Sequence, residues 1–129
     1  MTYYNSKTVK AEHINEVRTQ VEAALKEEGF GILTEIDIQA TMKKKLDKAY
    51  PPYLILGACN PIFADKVLQA EPHIGVLLPC NVIIRETGSK QYEVSAMDPA
   101  AAMSAVENEN IEPLASEVGE MLTRMLSKL

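Results

Sequence analysis

Residues 53–84 read YLILGACNPIFADKVLQAEPHIGVLLPCNVII, and this stretch carries one small device twice. A first apolar run ends in Cys59-Asn60-Pro61, and a second ends in Pro79-Cys80-Asn81. Asn60-Pro61 marks a helix start. An asparagine side chain accepts from the free amides of a first turn, and proline has no N–H to lose there. Tyr53 to Ala58 therefore reads as a strand, and 61–70 as a helix that buries Phe63 and Val67 before Glu71-Pro72 stops it. Ile74 to Leu78 is apolar throughout and reads as another buried strand. Pro79 cannot donate to a ladder and forces an edge, bulge or bend. A right-handed crossover would make the two strands parallel neighbours and bring both Cys-Asn pairs to one rim of the sheet.

Working outward, Thr2 to Val9 is rich in Tyr, Thr and Val and suits a strand. Ile14, Val17, Val21, Ala24 and Leu25 follow at helical spacing, and Gly29 fits a left-handed cap at the helix end. Gly31 to Ile36 reads as a strand, and Asp37 is placed to cap a short helix burying Ile38, Met42 and Leu46. Downstream, Cys80 to Arg85 and Gln91 to Ala96 form a hairpin around Glu86-Thr87-Gly88-Ser89. Asp98-Pro99 repeats the cap-and-proline start and opens a short helix through Val106. In the last helix Ile111, Leu114, Val118, Met121, Leu122, Met125 and Leu129 form one stripe, which reads as core. The order is β-α-β-α-β-α-β-β-β-α-α, an α+β fold with a single mixed β-sheet and helices packed on it.

Composition narrows the function classes. At 129 residues the chain reads as one domain, 1–129, with a core of ordinary size. The formal net charge is −5, concentrated after residue 97, and no basic face suits nucleic acid. Lys43, Lys44, Lys45 and Lys48 read as one solvated helix face. No apolar run is long enough to cross a bilayer, and MTYYNSKTVK lacks a signal-peptide core. The expectation is a cytoplasmic protein without nucleic-acid or membrane partners. Its two cysteines read as thiols, since a spacing of 21 matches no zinc pattern.

The motifs also carry a resemblance. Gly29-Phe30-Gly31, Thr34-Glu35-Ile36-Asp37, Pro52-Tyr53, Ala58-Cys59-Asn60-Pro61, Gly75, Leu77 to Val82 and Asp98-Pro99 resemble the domain-of-unknown-function 302 family over nearly the whole chain. The resemblance implies a compact α+β domain on one curved sheet, dimeric, and brings no agreed activity.

The candidate site is therefore Cys59, Asn60, Cys80 and Asn81. In the leading reading they bind a small ligand, with the two amides as hydrogen-bonding groups and the start of the Pro61 helix facing an anionic part. The alternative is a cysteine-dependent thiol or redox enzyme, or a soft-metal site. A cysteine nucleophile wants a base beside it, and the only histidines are His13 and His73. Glu35 and Asp37 do not make an acid–base pair, because Asp37 already has a capping role. Two thiolates suit Cu(I) or zinc, but a closed zinc site wants four ligands. A third reading is self-association as a homodimer, through the stripe of the last helix or the edge at Gln91 to Ala96. No residue pattern names a cofactor or decides for catalysis.

Overall fold

A computed structural model describes residues 2–129. The elements are β1 (Tyr4–Lys10), α1 (Ile14–Glu27), β2 (Gly31–Asp37), α2 (Ile38–Leu46), β3 (Tyr53–Cys59) and α3 (Pro61–Ala70). A 3-10 helix (Pro72–Leu77) then leads into β4 (Cys80–Gly88), β5 (Gln91–Met97), α4 (Pro99–Ala102) and α5 (Ile111–Ser127). Five strands form one sheet in the order β1-β5-β4-β3-β2.

The α+β architecture is as expected, with two corrections to its detail. The apolar run Ile74–Leu78 lies in the 3-10 helix Pro72–Leu77 and its extended C-cap Leu78 rather than in a strand, so the observed order has one strand fewer. Short apolar runs do not reveal their own period. Here only Ile74 of the run is fully buried, and Val76 is 85% exposed. Both sides of β3 are already occupied by β2 and β4. Without that strand no parallel pair forms, and every pairing in the sheet is antiparallel rather than mixed.

Alternation sorts the sheet into two faces. Leu54, Leu56 and Ala58 stand opposite Ile84, Val82 and Cys80, and this face continues through Val94 and Ala96. These side chains are buried against Val17, Val21 and Leu25 of α1 and Leu122 and Met125 of α5. Each fully buried aliphatic side chain of this kind contributes about 1.5–3 kcal/mol. A second, smaller cluster (Val67, Ile74, Met103, Ile111 and Ala115) joins α3, the 3-10 helix, α4 and α5.

The expected caps are made. The Asp37 side chain accepts from Ala40 N at 2.9 Å, and the Asp98 side chain from Ala100 N at 3.0 Å. Gly29 adopts φ +84°, where a side chain would be strained. Beyond it, the Glu28 carboxylate accepts from Arg124 Nε (2.9 Å) and Lys128 Nζ (2.6 Å), tying the end of α1 to the end of α5. Lys128, then Arg124, hold this carboxyl below its ordinary pKa against the opposing effect of burial.

Several packing expectations need adjusting. Leu46 is 64% exposed, and α2 has no fully buried residue; it packs mainly beside β2 and β3. The helix expected through Val106 ends at Ala102. Strand β5 lies between β1 and β4, so the hairpin leaves no free edge at Gln91 to Ala96. The α5 stripe is spent inside the chain's own core, with Ile111, Val118, Leu122 and Met125 buried.

Candidate functional site

The two hydrophobic clusters do not close completely on one another. Between them lies a cavity of about 280 Å3. Its floor is the end of the sheet, with Ala58 and Cys59 closing β3 and Cys80 opening β4. Phe63, Ala64, Val67 and Leu68 of α3 form one wall. Met103, after α4, and Ala115 and Val118 of α5 form another. Leu33 reaches it from β2 for a local reason: pairing with β3 shifts register between Ile32 and Thr34, which leaves Leu33 as a bulged residue.

Three of the four residues singled out in the sequence line this cavity: Cys59, Asn60 and Cys80. The mechanism differs from a parallel rim. Antiparallel pairing of β3 with β4 sets Ala58 opposite Cys80. Asn81 falls elsewhere. As the next residue along β4 it points to the opposite face of the sheet, where it lines a groove with Tyr53, Ile83 and Arg85.

Asn60 is 8% exposed, and its hydrogen-bonding groups are engaged within the chain. Its Oδ1 accepts from Ile62 N (3.2 Å) and Phe63 N (3.4 Å). Its Nδ2 donates to the Glu28 carbonyl (3.3 Å) and meets Met121 Sδ at 3.8 Å. An amide has two donors and two acceptor lone pairs, and here all four have partners. Ala64 N bonds to Asn60 O at 2.9 Å, and Pro61 has no N–H, so the first turn of α3 offers no free amide for an anion.

Both cysteines are free thiols. Cys59 is half-buried and Cys80 is 7% exposed. Burial, and secondarily the nearness of Cys59, push the Cys80 thiol up to about 11, so it stays protonated at neutral pH. No histidine, carboxylate, lysine or arginine lines the cavity. The His73 side chain is 94% exposed and sits 3.6 Å from Glu71 Oε2. His13 holds the N-cap position of α1 without a side-chain capping bond. Among the described residues no group of three or more His, Cys, Asp or Glu could hold a metal ion.

The family model for "Domain of unknown function DUF302" matches residues 5–129. The chain belongs to the DUF302 family. Its fold is also that of a solved structure, the uncharacterized conserved protein DUF302 from Bacillus stearothermophilus. That structure has a TM-score of 0.90 and 23% sequence identity, covering 99% of this chain and 98% of the other. No curated protein matches the chain. DUF302 is a family of unknown function, and the similarity to the solved member, at this identity, is one of fold. Among the described residues of this DUF302 protein, no helix is long and apolar enough to cross a membrane.

Two residues of consequence were not singled out in the sequence. Gly57 belongs to the face away from the helices, where an added Cβ would lie 2.6 Å from Pro79 Cγ and closer still to Thr34 Oγ1. Proline can fold over the sheet beside the cavity only because position 57 has no side chain. Met103 contributes a thioether to the wall. It sits in an Ala-rich stretch with no periodic signal, so only tertiary contacts place it there.

Proposed function

We propose that this DUF302 protein is a small-ligand-binding module whose ligand places an apolar part in the cavity between the sheet end, α3 and α5. The observation that carries the reading is the cavity itself: about 280 Å3, walled by aliphatic, aromatic and sulfur-bearing side chains, without a charged residue. Ligand sites are concave, mostly apolar and few per protein, and this volume lies near the lower end of their range of about 300–1,000 Å3. In this reading Cys59 and Cys80 are the ligand's neighbours, and Asn60 is the fastening that shapes the wall. Catalysis by either thiol finds less support, because Cys80 is held protonated and no base lines the cavity. Native mass spectrometry of freshly purified protein should report a bound mass. Apolar probes such as indole and octanol should slow alkylation of Cys59 in the parent and lose that effect in Ala64→Phe. The absence of both a bound mass and protection by any apolar probe would overturn the reading.

We further propose that the chain forms a homodimer through the uncovered face of the sheet. Ile36, Ile55 and Ile83 stand side by side across β2, β3 and β4 on that face. Tyr3 (69% exposed) and Tyr4 lie on its β1 side. A solvated face of an antiparallel sheet is ordinarily polar, so an isoleucine row there suits a second copy of the chain. Light scattering after size exclusion should give twice the 14.2 kDa chain mass, and Ile55→Lys should halve it. A monomeric parent chain at micromolar concentration would overturn this placement.

A further inference from the structure

The face of the sheet away from the helices carries a second concavity, of about 360 Å3, across β1, β5, β4 and the start of β3. Cross-strand pairing sets Ile83 of β4 beside Ser95 of β5, and Ser95 beside Ser6 of β1. The two serines leave a trough between Tyr53 and Arg85, paired across β3 and β4, and the tyrosines before and at the start of β1. Tyr3 and Tyr4 pack edge to face with ring centroids 5.1 Å apart, so they stand as one aromatic wall. Asn81, the member of the second Cys-Asn device that the apolar cavity leaves out, lines this groove. Of the isoleucine row, Ile83 lines it while Ile36 and Ile55 do not.

The floor is fixed by its own hydrogen bonds. Ser95 is buried, and its hydroxyl donates to Glu93 Oε1 at 3.3 Å. The 2.7 Å bond between the two serine hydroxyls therefore runs from Ser6 to Ser95. Arg85 Nε donates to the same Glu93 oxygen at 3.0 Å, which leaves the second Glu93 oxygen and both terminal nitrogens of Arg85 unengaged. Among the described residues, no side-chain hydrogen bond engages the Asn81 amide or the phenols of Tyr3, Tyr4 and Tyr53. Arg85 and Glu93, the charged side chains of the groove, neutralise each other.

Free donors and acceptors without net charge, set beside aromatic and aliphatic surface, fit an uncharged ring with hydroxyls on its rim and C–H groups on its faces. A hydroxyl both donates and accepts, so it can meet the amide, the guanidinium and the carboxylate alike. Ring C–H groups suit the faces of tyrosine rings, which carry partial negative charge. We infer that this groove is a second binding site, for an uncharged hexose. It is separate from the apolar cavity, and neither reading depends on the other.

Titration of glucose, galactose and mannose into the 15N-labelled chain, each at millimolar concentration and followed by NMR, tests it, with sorbitol as an open-chain control. At least one hexose should shift the amide signals of Asn81, Arg85 and Ser95 saturably and leave those of Ala64 and Val118 in the cavity wall unmoved. Sorbitol has the hydroxyls but no fixed ring, and should bind more weakly. Asn81→Ala should weaken the hexose about two- to ten-fold, as the loss of a hydrogen bond does, and Tyr53→Ala at least as much. Ala64→Phe, which fills the cavity, should leave hexose binding unchanged. No saturable shift with any of these hexoses overturns the site. Hexose binding indifferent to Asn81→Ala or to Tyr53→Ala also overturns it, and so does sorbitol binding as tight as that of every hexose. Groove signals that follow chain concentration and not sugar would mean a second copy seated there, which overturns it as well.

Discussion

Replacing Asn60 by alanine removes four interactions at once, and their sum can be worked from the structure. The Oδ1 bonds to Ile62 N and Phe63 N are an N-cap, whose loss costs about 0.5–2 kcal/mol. The Nδ2 bond to the Glu28 carbonyl ties α3 to the end of α1, and a buried acceptor left without a partner costs about 1–3 kcal/mol. Asn60→Ala should therefore destabilise the chain by about 1.5–5 kcal/mol, enough to lower Tm by roughly 5–20 °C in a domain of this size. Asn60→Ser separates the two contributions. Serine is as good an N-cap as asparagine but cannot reach Glu28, so it should show only the second loss. The assay is urea unfolding followed by far-UV circular dichroism, where a lower midpoint at constant m isolates the stability change. If Asn60→Ala costs less than about 0.5 kcal/mol, the fastening role is refuted and the amide becomes available to a ligand again.

Other outcomes follow from the same geometry. Cys80 keeps its proton in the folded chain up to about pH 11, whereas the unfolded chain releases it near pH 8.5. The stabilisation is thus complete below the unfolded value and is lost as pH rises toward the folded one, at about 1.4 kcal/mol per pH unit at most. Cys80→Ala should remove this part of the alkaline slope, and an unchanged slope would count against the assignment. In the native parent, alkylation at pH 8 should label Cys59 well before Cys80, and simultaneous labelling would contradict the burial of Cys80. Gly57→Ala should cost about 1–3 kcal/mol by forcing Thr34 and Pro79 apart, and a neutral result in urea unfolding would refute the close approach. Gly29→Ala should cost about 1–2 kcal/mol from the left-handed backbone alone, and its new Cβ would sit 3.1 Å from Asn60 Nδ2. A midpoint equal to the parent's would contradict that strain.

Local chemistry was legible in the sequence wherever one residue and its neighbours decide the outcome. Asn60-Pro61, Asp37, Asp98-Pro99 and Gly29 announce caps and a left-handed turn, and all four do so in the fold. The Cys80–Gly88 and Gln91–Met97 hairpin and the α5 stripe were equally plain, because period and turn chemistry agree there. What only the tertiary structure decided depends on partners distant in sequence. The run at Ile74–Leu78 could not reveal itself as a 3-10 helix, because that outcome depends on β2 and β4 already flanking β3. The same pairing split the second Cys-Asn device. Neighbours on a strand face opposite ways, so antiparallel register turned Cys80 into the cavity and Asn81 to the other face. The sequence by itself determined that the five α-helices and the hairpin form, and the caps that open α2, α3 and α4. The cavity, and the meeting of Cys59 and Cys80 in its lining, arise only because two apolar clusters from distant parts of the chain meet without closing, and no local pattern encodes that gap.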